Sequence, residues 1–327
     1  MIKSTLPAIA TAAAVFFSGC ACAQSWSPQK NVEIVVGSAP GGSNDKTGRT
    51  VEKILSEKKL VPGTITVNNK PGGGGNISLT YVSQKTGDAH FLAVATPSLL
   101  TNHIVGQGSL NYTDFTPIAS LFNDYIVFAV NPDSPIKNGR DLVERLKKDP
   151  KSISIGFATA LGSHNHIGAG LLMKAIGGDA QALKAIAFKG SAEAITALLG
   201  GHIDLVTTAA GNVDAQVAAG KLRIVGVAAN QRFTGALANI PTWKEQGINV
   251  VFGGWRAIIG PRGMSAAQSA FWENALRKVV ETPEWKQDLE KNYWSDDFVA
   301  GENFRKEMAQ DYAAMKSVLV DLGLAKN

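Results

Sequence analysis

Short apolar runs alternate with glycine- or proline-rich breaks along most of the chain. Val32 to Val36 is a β-branched run holding only Glu33, and beyond the break Ser38 to Asp45 the residues Val51, Ile54 and Leu55 recur at helical spacing. Ile65 and Val67 mark a second strand, after which Pro71 to Asn76 opens a helix with Ile77, Tyr81 and Val82. Phe91 to Ala95 is a third run, ended by Thr96-Pro97-Ser98. Strand, loop and helix in repeated succession predict βαβ units and parallel strands. Tyr125 to Val130 predicts a further strand, stopped by Asn131-Pro132 and Pro135. A second series follows, with strands predicted at 153–157, 185–188, 203–207 and 222–228 and helices near 141–148, 167–176, 191–199 and 213–219.

Trp255 to Ile259 is the last predicted strand, and the tail reads as helical. Ser265 suits the N-cap of a helix carrying Phe271, Ala275 and Val279. The stripe Phe304, Met308, Tyr312, Met315 on a final helix predicts a packing face. Two α/β series separated by single strands predict two lobes joined by crossover strands. The expected division places 24–124 and 247–327 in one lobe and 125–246 in the other.

The first segment reads as an export signal. Lys3 supplies a positive start, Leu6 to Phe17 an uncharged stretch, and Ala21-Cys22-Ala23 a small-x-small site with cleavage expected before Gln24. The expected mature protein is therefore periplasmic. Phe17-Ser18-Gly19-Cys20 is an imperfect lipobox with Phe where Leu is usual, so lipid anchoring at Cys20 is the alternative. No later stretch approaches the roughly 18 apolar residues of a membrane span. Both cysteines, Cys20 and Cys22, fall in the leader, which leaves the mature chain no disulfide and no thiolate metal site. The formal charge of +5 is spread out, densest at Lys58-Lys59 and Lys147-Lys148. A basic stripe interleaved with aromatics is missing, which argues against a nucleic-acid partner.

In open parallel sheets, ligands sit beyond the carboxyl ends of strands, where loops feed helix N-termini. Pro40, Gly41, Gly42, Ser43, Asn44 and Asp45 form such a loop: the glycines allow close backbone approach, Ser43 and Asn44 add donors, and Asp45 is placed to cap a helix. Gly74 lies in a second glycine-rich loop, and Thr96 and Ser98 follow the third strand. In the second series Thr159, Gly162, Ser163, His164, Asn165 and His166 crowd hydroxyl, amide and imidazole groups between a strand and a helix. Lys189 and Thr208 also follow strands there. Neither glycine-rich loop continues as Gly-Lys-Ser/Thr or fits Gly-x-Gly-x-x-Gly, so nucleotide phosphate is disfavoured. His164-x-His166 lacks a third metal ligand at telling spacing, and neither a metal nor a cofactor is expected. Gly-x-Ser-x-Gly, His-Glu-x-x-His and Cys-x-x-Cys are all missing, so no enzyme is expected. Ser163 beside two histidines keeps a secreted hydrolase of carboxylate esters as the rival reading.

At these loops the chain resembles the extracytoplasmic solute receptors of tripartite tricarboxylate transporters, the TctC or Bug family. The matching pieces are Val35-Val36-Gly37-Ser38-Ala39-Pro40-Gly41-Gly42 with Asp45 and Arg49, and Asn69-Lys70-Pro71-Gly72-Gly73-Gly74-Gly75. Asp114-Phe115-Thr116-Pro117-Ile118-Ala119, Gly200-Gly201-His202-Ile203-Asp204, Ala219-Gly220-Lys221-Leu222-Arg223 and Ile240-Pro241-Thr242-Trp243-Lys244-Glu245-Gln246-Gly247 follow in order. Ser78 stands where the family usually has Gly, and His164-Asn165 is unusual. The resemblance implies a type II periplasmic binding-protein fold, each lobe a mixed, mostly parallel sheet flanked by helices. It also implies a receptor that holds a small carboxylic acid between its lobes and delivers it to a membrane permease; we expect a monomer that captures the acid by hinge closure. A receptor feeding a sensor kinase is a third reading. Which acid is bound stays open.

Overall fold

The computed structural model describes residues 26–158, 160–321 and 323–326. The expected signal peptide, Cys20 and Thr159 lie outside them. β1 (Val32–Val36), α1 (Ser43–Glu57), β2 (Ile65–Asn69), α2 (Asn76–Ser83), β3 (Phe91–Ala95) and α3 (Ser98–Ile104) form the first series. β1 pairs parallel with both β2 and β3, and the βαβ crossovers bury the apolar face of each strand. Val32, Ile34 and Val36 point into one core cluster with Ile54 and Leu55 of α1, while Val35 points into another with Leu79 of α2.

The chain then runs through β4 (Phe115–Val130), much longer than the strand predicted at 125–130. Its two halves serve different lobes. Phe115 to Tyr125 lies antiparallel to β9 (Gly253–Pro261), with register shifts at Pro117/Ala119 and Ser120/Phe122. Ile126 to Val130 lies antiparallel to β7 (Leu205–Ala209) and, on the other edge, to β8 (Arg223–Val227). Between them come α4 (Gly139–Lys148), β5 (Ser154–Ala158), α5 (His164–Ala175), β6 (Lys184–Phe188), α6 (Ser191–Leu199) and α7 (Asp214–Ala218). β5 is parallel to β6 and β7. Asp204, just before β7, takes a hydrogen bond from the Ser154 backbone N–H at 2.8 Å and so ties the neighbouring strand start.

After β9, which also pairs antiparallel with β3, the tail adds α8 (Ala266–Val280), α9 (Pro283–Asn292), β10 (Val299–Ala300) and α10 (Gly301–Asp321). Strand order β2-β1-β3-β9-β4-β7-β5-β6 is thus a two-lobed α/β fold, with β9 and β4 between the parallel sets and β4 pairing with strands of both. Ser265 caps α8 in a reciprocal capping box with Gln268, and Phe304, Met308 and Met315 of α10 are buried against the first lobe. Trp272 of α8 is fully buried and donates its Nε1–H to Ala89 O at 2.9 Å. Nearby, Phe122 stacks on Trp294 with ring centroids 4.0 Å apart. Replacing Trp272 with Ala leaves a large void and an orphaned carbonyl, so we expect a loss of about 4 kcal/mol in urea unfolding with an unchanged slope. A loss under about 1 kcal/mol would mean that α8 is not packed in this way.

Candidate ligand-binding site

Three helices aim their N-termini at one cavity of about 290 Å³ between the lobes. α1 contributes Gly42, Ser43 and Asn44 from the first lobe, with Ser38, Ala39 and Pro40 ahead of it. From the second, α5 contributes His164 and Asn165, and α6 contributes Ser191, Ala192 and Glu193 behind Lys189 and Gly190. Ala158, Ala209, Asn212 and Arg256 complete the wall. The first three N–H groups of any α-helix lack partners inside the helix and carry partial positive charge. None of these three helices has a side-chain cap. By contrast α4, α8 and α9, which do not line the cavity, are capped by Asn138, Ser265 and Thr282. α2, α3 and α7 also start without a side-chain cap, so what marks the site is the convergence of α1, α5 and α6 on one cavity.

Each loop is braced by one repeated device. The third helical residue reaches back to the N–H just before the cap position: Gly41 N–H to Asp45 Oδ2 at 2.9 Å, Gly162 N–H to His166 Nδ1 at 2.9 Å, and Lys189 N–H to Glu193 Oε2 at 3.0 Å. Asp45 is buried and also takes bonds from Arg49 Nε and Asn69 Nδ2. Burial raises its pKa, but Arg49, the Gly41 amide and Asn69 together outweigh that and hold it below the ordinary carboxylate range. Asp45 and His166 therefore shape the loops rather than line the cavity. Gly41, at φ +90°, adopts a backbone that L side chains rarely take.

The remaining predicted residues separate into groups. Gly74, Thr96 and Ser98 line a small adjoining recess of about 30 Å³ that shares Asn44 with the main cavity. Ser163 is buried, and its hydroxyl donates to Ala158 O at 3.1 Å, so it faces the strand and not an imidazole. Gly162, at φ +81°, sits at the lobe seam against Val105. Thr208 is buried and accepts from Asn212 Nδ2 at 3.1 Å, which places it behind the wall. No group of three His, Cys, Asp or Glu among the described residues could hold a metal ion.

Arg256 on β9 escaped the sequence reading, as did Asn212 and the N-terminus of α6. Arg256 is the one buried Lys or Arg among the described residues, and it reaches Asp124 Oδ2 at 3.3 Å. Burial pushes Asp124 up to about 6, against the pull of Arg256, Ser43, Lys46 and Trp294. His164 lies beside Arg256 and is held neutral, its pKa well below the usual value through burial and then the guanidinium. His166 stacks on Phe157 with centroids 4.8 Å apart, and burial lowers it to about 4.

Two hydrogen bonds join the lobes outside the cavity lining. Gln107 Nε2 donates to Leu161 O at 3.0 Å, and Lys46 Nζ donates to Gly211 O at 2.9 Å. Gly74 lies so near the second lobe that a Cβ there would stand 3.4 Å from Ala160 Cβ and 3.0 Å from Asn102 Oδ1.

A folded-state pKa below the unfolded one makes neutral His166 a source of stability above pH 6.5 that is lost as pH falls toward 4. We expect stability by urea unfolding to drop by roughly 2 kcal/mol from this residue between pH 7.5 and 5. The His166→Gln variant should lack that share of the drop. Equal pH profiles for the two proteins would show that His166 titrates normally.

The family model for the tripartite tricarboxylate transporter family receptor matches residues 49–324. The UPF0065 protein in the gbd 5' region of Cupriavidus necator is 26% identical over 300 residues, covering 91% of this chain and 89% of that one. A TctC solute binding protein from Polaromonas aligns at 28% identity and TM-score 0.67 over 90% of this chain and 99% of its own. The structure of R. palustris Rpa4515 with adipate shares the fold at TM-score 0.83, with 23% identity over 91% of this chain and 99% of the other. The Polaromonas protein is a solute binding protein, and the matching family model is that of a transporter receptor, not of an enzyme. The chain belongs to the tripartite tricarboxylate transporter receptor family.

Proposed function

We propose that this protein is a periplasmic receptor that captures a small organic carboxylate between its lobes by hinge closure and delivers it, as a monomer, to a membrane permease of the tripartite tricarboxylate type. The observation that carries this reading is the convergence of three uncapped helix N-termini, one from the first lobe and two from the second, on one cavity. A carboxylate taken out of water needs nearly all its oxygen lone pairs satisfied. Amides from opposing lobes meet that need only when the lobes are together, which couples ligand to closure. The seam bonds of Gln107 and Lys46 then hold the closed form. Tyr125, where β4 passes from one partner set to the other, and the stretch entering β9 mark the hinge in this reading, close to the division at 124/125 and 246/247. No helix among the described residues is long and apolar enough to cross a membrane, which suits delivery to a separate permease.

A thermal-shift panel of mono-, di- and tricarboxylic acids tests the reading, because a ligand that binds only the native state raises Tm. At least one acid should raise Tm, bind one to one by calorimetry and reduce the radius of gyration in solution scattering. Turnover without stoichiometric binding would contradict it. A Ser191→Asp variant sharpens the test. A carboxylate at the N-terminus of α6 favours the helix but opposes a bound anion, so Tm should hold while affinity for the acid falls at least roughly 10-fold.

A further inference from the structure

Resting on the carboxylate reading above, we infer that Arg256 is the charged anchor of the cavity, meeting the ligand's carboxylate directly and making the receptor choose an acid over its neutral amide, with Asp124 as the opposing charge that positions the guanidinium.

Backbone amides alone discriminate weakly between an anion and a neutral carbonyl, since both accept from N–H. A full positive charge discriminates strongly, provided that water does not screen it. Two cationic side chains line the cavity. Lys189 is exposed at the rim, so its field is screened. Arg256 is 3% exposed and lies in the wall beside His164, where its field acts at low dielectric.

Its hydrogen bonding is incomplete. A guanidinium carries five N–H donors. Nη1 donates to Gly254 O at 2.9 Å and approaches Trp255 O at 3.5 Å, and Nη2 meets Asp124 Oδ2 at 3.3 Å. Nε is buried and has no hydrogen-bond partner among the described residues. A single 3.3 Å contact is long for an Arg–carboxylate pair, which is ordinarily shorter and frequently bidentate. Asp124 thus fixes where the guanidinium sits without saturating it. Its Oδ1 likewise lacks a partner among the described residues. Its placement on β4, opposite β9, sets the pair at the crossing between the lobes.

The two members of the pair should therefore act on an anion with opposite signs, which a merely structural role would not produce. Calorimetric titration of matched acid and amide pairs (succinate and succinamide, adipate and adipamide, benzoate and benzamide) into wild type, D124N and the double variant R256M/D124N reads this directly. Wild type should prefer the acid it binds over the matching amide. D124N should bind that acid several-fold more tightly, and the double variant, which leaves no orphaned charge, should lose about 10- to 100-fold of the acid-over-amide preference. An acid-over-amide ratio that stays within about 3-fold of wild type in the double variant overturns the anchor and leaves the carboxylate reading standing on the helix amides. Loss of acid affinity in D124N overturns the opposing role of Asp124. Equal binding of acids and amides by wild type, or no binding of any acid, overturns the anchor and the carboxylate reading together. If the double variant fails to melt cooperatively, R256Q/D124N decides the matter: it removes the same two charges but keeps hydrogen-bonding side chains, and should lower the ratio by about 10-fold, whereas a ratio within about 3-fold of wild type overturns the anchor.

Discussion

An anion cannot be moved out of water into a cleft unless the protein returns most of the hydrogen bonds that water supplied. In the proposed function, that constraint is met by the start of three helices. α1, α5 and α6 each begin on the cavity without a side-chain cap, so their first amides stay free of side-chain partners. The same three helices carry Asp45, His166 and Glu193 at the third position, each reaching back to the amide before the cap. The bracing acceptors fix the loop but leave the first helical amides untouched. A conventional Ser or Asn cap would have filled the site with the protein's own oxygen.

β4 pairs with β9 over its first part and with β7 and β8 over its second, so the proposed hinge at Asp124–Ile126 would move one set of helix termini relative to the other. Buried beside that segment are Asp124 and Arg256, on neighbouring antiparallel strands. In the proposed reading, a charged pair there would link what the ligand carries to where the lobes sit. Tight packing at Gly74 against Ala160 and at Gly162 against Val105 lets the walls meet without side chains filling the seam.

The glycine-rich turns and apolar runs made the first lobe legible. β1 and β3 coincide with the runs Val32–Val36 and Phe91–Ala95 because both faces of a parallel strand are buried and leave an uninterrupted apolar signature. The first half of β4 was hidden because Thr116, Pro117, Ser120, Asn123 and Asp124 interrupt that signature, and its two register shifts break any period of two. Ser43 to Asp45 and His164 to His166 read as loop because polar residues crowd the first helical turn, with Gly42 at one cap position and, at the other, a Ser163 whose hydroxyl turns to the strand instead of the helix. Arg256 was invisible for another reason. An arginine within a strand is usually solvated, and only the pairing of β9 with β4 brings it against Asp124 and the cavity wall.

The central claim is that amides from both lobes hold one anion, and backbone NMR reads it most directly. On titrating in an organic acid that raises Tm, the amide protons of Ser43 and Asn44 on α1, His164 and Asn165 on α5, and Ser191 and Ala192 on α6 should all move with one saturation curve. Shifts confined to one lobe, or to exposed lysines while these six amides stay in place, would contradict it.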